Sequence, residues 1–438
     1  MALVVYCGAH LGHDPQQVPI GGGASVGHAL IRRWAQTRPF ALLVLGTGPF
    51  APDPRVAYCQ LDVATDGLLT NFSVRRYAKL AREFEKTVTE FLARLTKEEN
   101  PEEVVVLHND IAEAGDFGAI AHMGYRQAAI FHVDVVDYTA NIYLKGLCSA
   151  PTLAHLWRGL EHWRLAQCMP DVLKLIFRKQ EACARYCERL IVPSSGMARI
   201  VRASYPWRTG KDVLVIPWGA LVEPRSLEVE EVLLELKRKF DPRGRPVLLT
   251  LSRISPEKGQ DLLLRALRLW EKRGGREILL FICGAAAYMH GESYLRKLQK
   301  LAARLKKVEV IFPGHVGGAR KFAFFELADL YVFPSRHESY GLTMMEAMAA
   351  GLPVLTTTHH SAQDLISSEF GLIVEPTPLA LCDGLQRMLS QQEQLKRMGE
   401  KAKRFALAHP FWRSADALAH ELLRILASTP PIRSHPAR

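Results

Sequence analysis

The sequence lacks several features that would place it in other protein classes. No apolar run approaches the length of about 18 residues that indicates a membrane-spanning helix. The apolar start, Met1 to Tyr6, carries no basic leader and predicts a first strand rather than a signal peptide. The eight cysteines are scattered without a CxxC pair, so we expect structural thiols, Cys183 and Cys187 among them, in a reducing cytoplasm.

Common ligand-binding signatures are missing as well. Neither the GxGxxG fingerprint of dinucleotide folds nor the GxxxxGK[ST] motif of a P-loop occurs. No Asp-x-Asp pair is suited to bridge a metal and phosphates: Asp134 and Asp137 are three apart, and His10 and His13 with Asp14 are better explained as a loop. We therefore expect no metal and no other cofactor.

The net charge of +11 is spread along the chain rather than concentrated in a tail. No helix-turn-helix, zinc-finger or aromatic-plus-basic RNA signature accompanies it, so we expect no nucleic-acid partner. A basic surface also suits phosphorylated ligands or an anionic membrane, and a peripheral membrane contact stays open.

What the chain does contain is a regular alternation of strand-like and helix-like segments over 438 residues. Short apolar runs occur at 3–7, 41–45, 104–107, 128–131, 190–192, 213–216, 247–251, 278–282, 308–312, 329–333, 353–355 and 372–374. Amphipathic helical patterns lie between many of them, for example at 25–36, 74–95, 261–271 and 294–305. This alternation predicts an α/β fold with parallel sheets and crossover helices, and the length favours two Rossmann-like domains.

The seam between the two halves is marked by helix-breaking residues. Pro217, Gly219 and Pro224 follow the run at 213–216, and a charged helical stretch then leads to the second series of strands. We predict a first domain over 1–220 and a second over 221–405. A helical pattern at 406–427 and a loose tail at 428–438 complete the chain.

The most specific pattern lies at 334–354, directly after an expected strand. Gly341 opens a helix there, so the backbone N–H groups of Ser339 to Leu342 lie at a strand-to-helix turn and offer an anion site suited to a diphosphate. Glu346, one turn into the helix, could accept the hydroxyls of a ribose. Glu338, just before the helix, would face the sugar.

Two further loops carry ligand-binding potential. Arg253 and Lys258 both follow the run at 247–251, and ligands of parallel sheets bind at this end of the strands. A guanidinium fork and an ammonium there form a diphosphate clamp together with the helix start. Gly21 to Gly23 follow the first strand and let the backbone approach a ligand closely, although alone they are a weak signal.

These residues resemble the family 4 (group 1) glycosyltransferases, retaining enzymes of the GT-B fold. Two glutamates with seven residues between them, followed by Ala-Met and Gly-Leu-Pro-Val, match that family's signature. The loop at 251–259 matches its Arg…Glu-Lys-Gly loop, and the segment 213–219 its Val-Ile-Pro-x-Gly crossing. Phe411 and Trp412 resemble the start of its last helix, which typically packs back on the first domain.

The resemblance implies a role for each matching residue. Arg253 and Lys258 would hold the diphosphate, and Glu346 the ribose. The transferred sugar and phosphate would contact Gly22, Gly23, Glu338, Ser339, Tyr340, Gly341 and Leu342. His132, after a first-domain strand, fits the family's active-site histidine. The backbone of Phe312, Gly314 and His315 would contact the nucleotide base.

Three positions depart from the family pattern. Trp218 stands where the crossing usually has Asn, Ser252 where the arginine loop usually begins with Gly, and His359 with His360 where a Gly-Gly pair is common. These departures affect the identity of the donor more than the fold.

The resemblance thus implies a retaining hexosyltransferase, which we expect in the cytoplasm. UDP-glucose or a similar hexose donor is the preferred choice, with an unidentified sugar, small-molecule or lipid-linked acceptor. Another GT-B enzyme, a phosphorylase or a nucleotide-sugar epimerase, and a non-catalytic sugar-nucleotide binder stay open as alternatives. A phosphorylase would need a pyridoxal-phosphate lysine, which we cannot identify, and a non-catalytic relative would usually have lost Glu338, Arg253 or Lys258.

Overall fold

A computed structural model of the protein describes residues 2–13, 21–63, 74–222, 226–242, 244–286 and 291–428. Asp14, Pro224 and the predicted tail from 429 onward lie outside the described residues. No helix in these ranges is both long and apolar enough to cross a membrane.

The first half of the described chain forms one parallel sheet. Its strands are β1 (Leu3–Cys7), β2 (Ala41–Gly46), β3 (Ala57–Gln60), β4 (Val104–His108), β5 (Arg126–Ile130), β6 (Arg189–Val192) and β7 (Val213–Val215), in the order β3-β2-β1-β4-β5-β6-β7. The expected apolar runs coincide with all of these strands except β3. That strand was missed because it lies at the sheet edge, where its half-exposed Ala-Tyr-Cys-Gln sequence needs no apolar run.

Helices cover both faces of this sheet. They are α1 (Gly22–Thr37), α2 (Val74–Leu95), α3 (Phe117–His122), α4 (Val135–Tyr138), α5 (Ala150–His162), α6 (Asp171–Tyr186) and α7 (Ser195–Ser204). Trp157 of α5 stacks on Phe177 of α6 with ring centroids 4.9 Å apart, and both rings are buried. The helices α5 and α6 therefore form a packed pair.

The second half forms another parallel sheet. Its strands are β8 (Val247–Leu251), β9 (Ile278–Cys283), β10 (Val308–Gly314), β11 (Leu330–Phe333), β12 (Val354–Thr357) and β13 (Gly371–Val374), in the order β10-β9-β8-β11-β12-β13. Its helices are α8 (Leu227–Phe240), α9 (Gln260–Lys272), α10 (Gly291–Ala302), α11 (Gly318–Leu327), α12 (Leu342–Ala349), α13 (Ala362–Leu365), α14 (Pro378–Leu389) and α15 (Gln392–Ala408). Two parallel α/β sheets, as the alternation of segments predicts, are thus confirmed.

The helix α9 begins after Gly259, which is its N-cap with φ of +66°, and a Cβ there would lie 1.9 Å from the carbonyl oxygen of Pro334. Asp261 lies in the first turn, where its carboxylate accepts a hydrogen bond from Tyr294 (2.7 Å) and pairs with Arg336 (2.8 Å). Only glycine fits this cap, because both the left-handed backbone and the contact exclude a side chain.

The last helix, α16 (Phe411–Ala427), returns to the first sheet. Pro410 separates it from α15, since proline cannot continue the helical hydrogen-bond ladder. The indole Nε1 of Trp34 in α1 donates to the carbonyl of Ala415 at 3.0 Å, and Arg33 makes a two-pronged contact of 2.8 and 2.6 Å with Asp416. The end of the chain therefore ties the second half to the first.

Candidate active site

A cavity of about 2070 Å³ lies between the two sheets and is lined by residues of both. Parallel strands all end at the same edge of their sheet, and here the carboxyl ends of both sheets face the cavity. The first sheet contributes Asn109 and His132, which follow β4 and β5, and the second contributes Arg253 and Lys258 after β8 and Glu338 after β11. The residues predicted from two distant motifs are therefore brought to one place.

Lys258 and Glu338 form the closest charged contact in this cavity. The Lys258 Nζ lies 2.6 Å from Glu338 Oε2, and both side chains are largely buried. Burial alone would raise the pKa of Glu338, but the ammonium of Lys258 outweighs it and lowers that pKa to about 2. Glu338 is therefore an ionised carboxylate, and it holds the Lys258 ammonium near the N-terminal end of α12.

The loop that carries Arg253 is held by side-chain hydrogen bonds. Gln260 donates from Nε2 to Ser252 Oγ at 3.0 Å and to the Arg253 carbonyl at 2.8 Å. Ser252 thus gains a structural partner at the position where the related motif usually has glycine. The Arg253 guanidinium is partly exposed, 3.8 Å from Glu257 Oε1, and lines the cavity, so a ligand phosphate can reach it.

The start of α12 presents backbone N–H groups to the cavity. Gly341 caps the helix with φ of +90°, and the amides that follow have no partner inside the helix. Glu346, one turn further, is buried and lies 2.8 Å from Lys321 Nζ of α11. The lysine fixes the direction of this carboxylate, and sequence reasoning missed it because nothing marks it among other surface lysines.

Two of the predicted phosphate-binding amides are already used in this structure. Glu338 Oε1 accepts from the amide of Ser339 at 3.1 Å and, at 3.5 Å, from that of Tyr340. The phenol of Tyr340 points elsewhere, because its Oη accepts from the Gly219 amide at 2.7 Å at the crossing between the halves. The amides of Gly341 and Leu342 are thus the ones positioned for an anion.

His132 is a half-buried, neutral imidazole on the opposite wall. Its Nε2 lies 3.2 Å from Asn109 Oδ1, which also accepts from Tyr6 Oη at 2.5 Å, so the imidazole proton sits on Nε2. Burial lowers the pKa of His132 to about 3. The Trp218 ring lies 5.8 Å from the imidazole, so this substituted position of the crossing motif packs against the site.

The glycine loop at residues 21–23 packs closely against His132. A Cβ on Gly23 would lie 2.7 Å from His132 Cδ2, and one on Gly22 would lie 3.4 Å from Leu342 Cδ1 on the other side of the cavity. The start of α1 therefore approaches both His132 and the start of α12, which a larger residue at 23 would prevent.

The three residues proposed for the nucleotide base are placed differently from one another. His315 is exposed and lines the cavity together with Arg320. Phe312 packs against the apolar layer beneath α9 and α10, and neither it nor Gly314 is part of the described cavity lining. The chain path accounts for this, because Phe312 and Gly314 lie on β10 and His315 lies in the loop beyond it.

One cluster beside the cavity was not expected. Asp137 Oδ2 lies 2.8 Å from His337 Nε2 and 2.5 Å from His360 Nε2. Sequence reasoning noted Asp137 and His360 separately but could not join them, because about 200 residues separate the aspartate from either histidine. The contact crosses between the two halves of the chain.

Comparisons with known proteins agree with this fold. A sucrose-phosphate synthase from Thermosynechococcus elongatus superposes with a TM-score of 0.71 at 18% identity, covering 98% of this chain and 100% of that one. HepE of Anabaena, solved with UDP and glucose, gives a TM-score of 0.66 at 15% identity over 97% and 100% of the two chains. Identities this low establish the fold alone, and that fold is GT-B.

The second half of the chain also matches a sequence family. Residues 234–405 match the family model described as "Glycosyl transferases group 1", and this stretch includes Arg253, Lys258, Glu338 and Glu346. The match supports a group 1 glycosyltransferase.

Two curated relatives are similar over part of their length. A GDP-mannose-dependent alpha-(1-6)-phosphatidylinositol monomannoside mannosyltransferase of Mycolicibacterium smegmatis is 29% identical over 198 residues, 43% of this chain and 50% of that protein. A D-inositol 3-phosphate glycosyltransferase of Corynebacterium urealyticum is 28% identical over 271 residues, 58% of this chain and 63% of that protein. The chain thus spans about half of the first relative and less than two thirds of the second.

Proposed function

We propose that this protein is a glycosyltransferase that moves a hexose from a nucleoside-diphosphate sugar to an acceptor hydroxyl. One observation carries the proposal: Arg253, Lys258 and the free amides of the α12 start converge on one cavity, opposite the neutral imidazole of His132. Cations and oriented amides suit a leaving diphosphate. The neutral imidazole of His132 suits a sugar and the hydroxyl that attacks it.

The chemistry follows from the charges that develop in the reaction. The bond between the anomeric carbon and the phosphate oxygen breaks, and a bond from that carbon to the acceptor oxygen forms. Arg253 and Lys258 stabilise the negative charge on the departing diphosphate. We propose retention of configuration by attack on the same face of the sugar, with the acceptor proton passing to the departing phosphate oxygen.

The polar groups near the leaving group have separate roles in this proposal. Glu346, oriented by Lys321, accepts the ribose hydroxyls of the nucleotide. Glu338 positions Lys258 and contacts the transferred sugar. His132 contacts the sugar from the opposite wall, and the side-chain oxygen of Asn109 holds its imidazole proton on Nε2. His315 lies where it can contact the base. The diphosphate needs no Mg²⁺ or Mn²⁺ in this scheme, since the two basic side chains supply the positive charge.

The identities of donor and acceptor are the finer part of the proposal. UDP-glucose is our first choice, and GDP-mannose is the alternative that the name of the mannosyltransferase relative suggests. The acceptor is a hydroxyl of a sugar, small molecule or lipid-linked molecule. Exposed Leu147 and Trp163, close in sequence to Lys145 and Arg164, are compatible with a peripheral membrane contact during transfer.

A nucleotide panel tests the donor site. UDP, GDP, ADP and TDP, each with and without its common sugars, are added to the full chain and the thermal unfolding midpoint is measured. We expect one nucleotide to raise the midpoint, with the rise lost in Glu346→Ala and kept in Glu400→Ala, which removes an exposed carboxylate of α15. No rise with any nucleotide, from well-folded protein, would refute the donor site.

Product analysis separates transfer from the remaining alternatives. A transferase releases nucleoside diphosphate in proportion to glycosylated acceptor, whereas an epimerase converts the nucleotide sugar without acceptor. A non-catalytic binder would show the thermal shift and no product with any acceptor. Analysis of the anomeric configuration of the product by NMR tests retention.

A further inference from the structure

Asp137, His337 and His360 form a compact cluster of metal-ligand side chains at the junction of the two halves. One ligand atom from each lies within 4.8 Å of the others. Both imidazole Nε2 atoms point at the same carboxylate oxygen, Asp137 Oδ2, at 2.8 and 2.5 Å. The side chains of Asp137 and His337 are only 6% and 5% exposed, and that of His360 is 21% exposed.

A second carboxylate beside the cluster is incompletely satisfied. Asp134 is 1% exposed, and its Oδ1 caps α4 through the amides of Val136 and Asp137 and accepts from Gln180. Its Oδ2 is buried and has no hydrogen-bond partner among the described residues. A buried carboxylate oxygen without a partner is costly and calls for an explanation.

The charge balance points in the same direction. Neither Asp134 nor Asp137 forms an ion pair with a lysine or arginine of the described residues, and the imidazoles are the basic groups that contact Asp137. With neutral imidazoles the Asp137 carboxylate has no fixed cation beside it, and a bound metal ion would neutralise its charge.

We propose that Asp137 Oδ2, His337 Nε2 and His360 Nε2 bind one divalent transition-metal ion of the Zn²⁺ class, which joins the two halves of the protein beside the active-site cavity. Two imidazoles and one carboxylate suit Zn²⁺ or Co²⁺ rather than Mg²⁺ or Ca²⁺, which prefer oxygen ligands alone. Three protein ligands leave a fourth position for water. The buried Asp134 carboxylate would lie beside the ligands and offset the charge of the ion.

Small movements are enough to convert the hydrogen-bonded cluster into a metal site. Tetrahedral ligands at Zn–N and Zn–O lengths of about 2 Å lie roughly 3.3 Å apart, so each Nε2–Oδ2 separation would lengthen by less than about 1 Å. Each imidazole must coordinate through a deprotonated Nε2, with its proton on Nδ1, and metal binding is therefore weakened in acid. Since Asp137 follows β5 and the histidines follow β11 and β12, occupancy would resist separation of the two sheets.

The site is tested with Co²⁺ as the probe on the full chain, after removal of metal by a chelator and dialysis. We expect about one Co²⁺ per chain with the visible absorption of a tetrahedral complex, displaced by Zn²⁺. We expect Co²⁺ binding to be at least about tenfold weaker in each of the variants Asp137→Asn, His337→Gln and His360→Gln, because changes around a metal typically cost about 10- to 100-fold in affinity. Zn²⁺ should raise the thermal midpoint of the wild type and not of these variants.

His359→Gln is the matched control, because it removes the adjacent histidine. Both His359 ring nitrogens contact hydroxyls of their own domain, Thr356 at 3.0 Å and Ser361 at 3.2 Å, so this variant should keep Co²⁺ binding. Near-ultraviolet circular dichroism identifies any variant that fails to fold. The folded variants then show whether the three side chains bind the metal ion. Absence of a stoichiometric Co²⁺ complex in the wild type, or undiminished binding in folded Asp137→Asn, would overturn the proposal.

Discussion

The edges of the two sheets that face the cavity differ in how their polar side chains are partnered. In the second sheet, cations are paired with carboxylates: Lys258 with Glu338 at 2.6 Å and Lys321 with Glu346 at 2.8 Å. In the first sheet, the neutral imidazole of His132 bonds to the amide of Asn109, and burial lowers its pKa to about 3. The second sheet thus lines the cavity with paired charges, and the first places a neutral imidazole opposite them, together with the contact of His10 Nε2 with Glu113 Oε1 at 3.0 Å.

This difference suggests how binding and chemistry are divided. A diphosphate carries negative charge. Lys258 and Arg253 can balance this charge by exchanging their carboxylate partners for phosphate oxygens. A developing positive charge on a sugar ring would be opposed by a second cation, and a neutral His132 avoids that repulsion. The assignment of donor to the second half and acceptor to the first stays a prediction.

Removal of the cation on the charged wall should have the largest effect. Lys258→Ala should lower kcat by roughly 100-fold or more, about 3 kcal/mol, because a preorganised contact to the leaving diphosphate is lost. Arg253→Ala should lose a similar factor. Steady-state kinetics with the donor found in the nucleotide panel measures both, with Lys272→Ala at the exposed end of α9 as control.

Lys258 also supports the fold, so its variant needs a second readout. Its removal leaves the Glu338 carboxylate buried without its closest cation, and some stability should be lost. Circular dichroism and the unfolding midpoint separate this effect from lost turnover. Near wild-type turnover of Lys258→Ala would refute the proposal that this lysine stabilises the leaving diphosphate.

The backbone that positions Lys258 can be tested without touching a charge. Gly259→Ala should destabilise the protein by about 2–3 kcal/mol, since the left-handed φ of +66° is strained for alanine and the new Cβ meets the Pro334 carbonyl. Gly244→Ala has a similar φ of +73° in open space and should cost only about 1 kcal/mol. Urea unfolding measures both, and equal losses would show that the contact with Pro334 is unimportant.

The lowered pKa of His132 predicts that the stability of the protein falls in weak acid. The pKa of His132 in the folded protein, about 3, lies below the value of about 6.5 in the unfolded chain, so below pH 6.5 the unfolded chain binds the proton first. Stability should therefore fall by roughly 1 kcal/mol between pH 6.5 and 5.5 from this residue alone.

His132→Gln should remove that part of the pH dependence, whereas His420→Gln, which alters an exposed histidine, should not. Urea midpoints at several pH values give the comparison. An unchanged slope in His132→Gln would mean that the pKa of His132 is the same in the folded and unfolded protein, so that burial would not keep this imidazole neutral in weak acid.

The smallest expected effect concerns hard divalent cations. Because Arg253 and Lys258 supply the positive charge at the diphosphate, millimolar Mg²⁺ or Mn²⁺ should change turnover by less than about twofold. Activity that depends completely on either ion would show that the charged wall is incomplete without it. This test is independent of the transition-metal site proposed at Asp137, which involves nitrogen ligands outside the diphosphate clamp.

Local sequence patterns predicted much of the fold because they act over a few residues. The helix at 74–95 was predicted with the bounds that the structure gives, since its apolar residues recur at helical spacing. The strand β3 was missed because an exposed edge strand needs little apolar character. The N-cap at Gly259 depends on the nearby Pro334 carbonyl, which no single segment reveals.

The candidate site shows the same division. Arg253, Lys258, Glu338 and Glu346 were found because each follows a strand end in a recognisable motif. Asn109, which holds His132, was missed although it directly follows β4, and a search of every strand end for polar residues would have found it. Phe312 and Gly314 were proposed to contact the base through their backbone, and neither lines the cavity, whereas His315 does.

The sequence by itself determined the order of strands and helices, the parallel sheets and the edge at which ligands would bind, because hydrophobic periodicity and glycine or proline breaks act locally. Only the tertiary structure decided the partners: Lys258 with Glu338, Trp218 against His132, and Asp137 with His337 and His360. Those contacts join residues tens to hundreds of positions apart. They depend on how the two sheets face each other, and no short stretch of sequence contains that information.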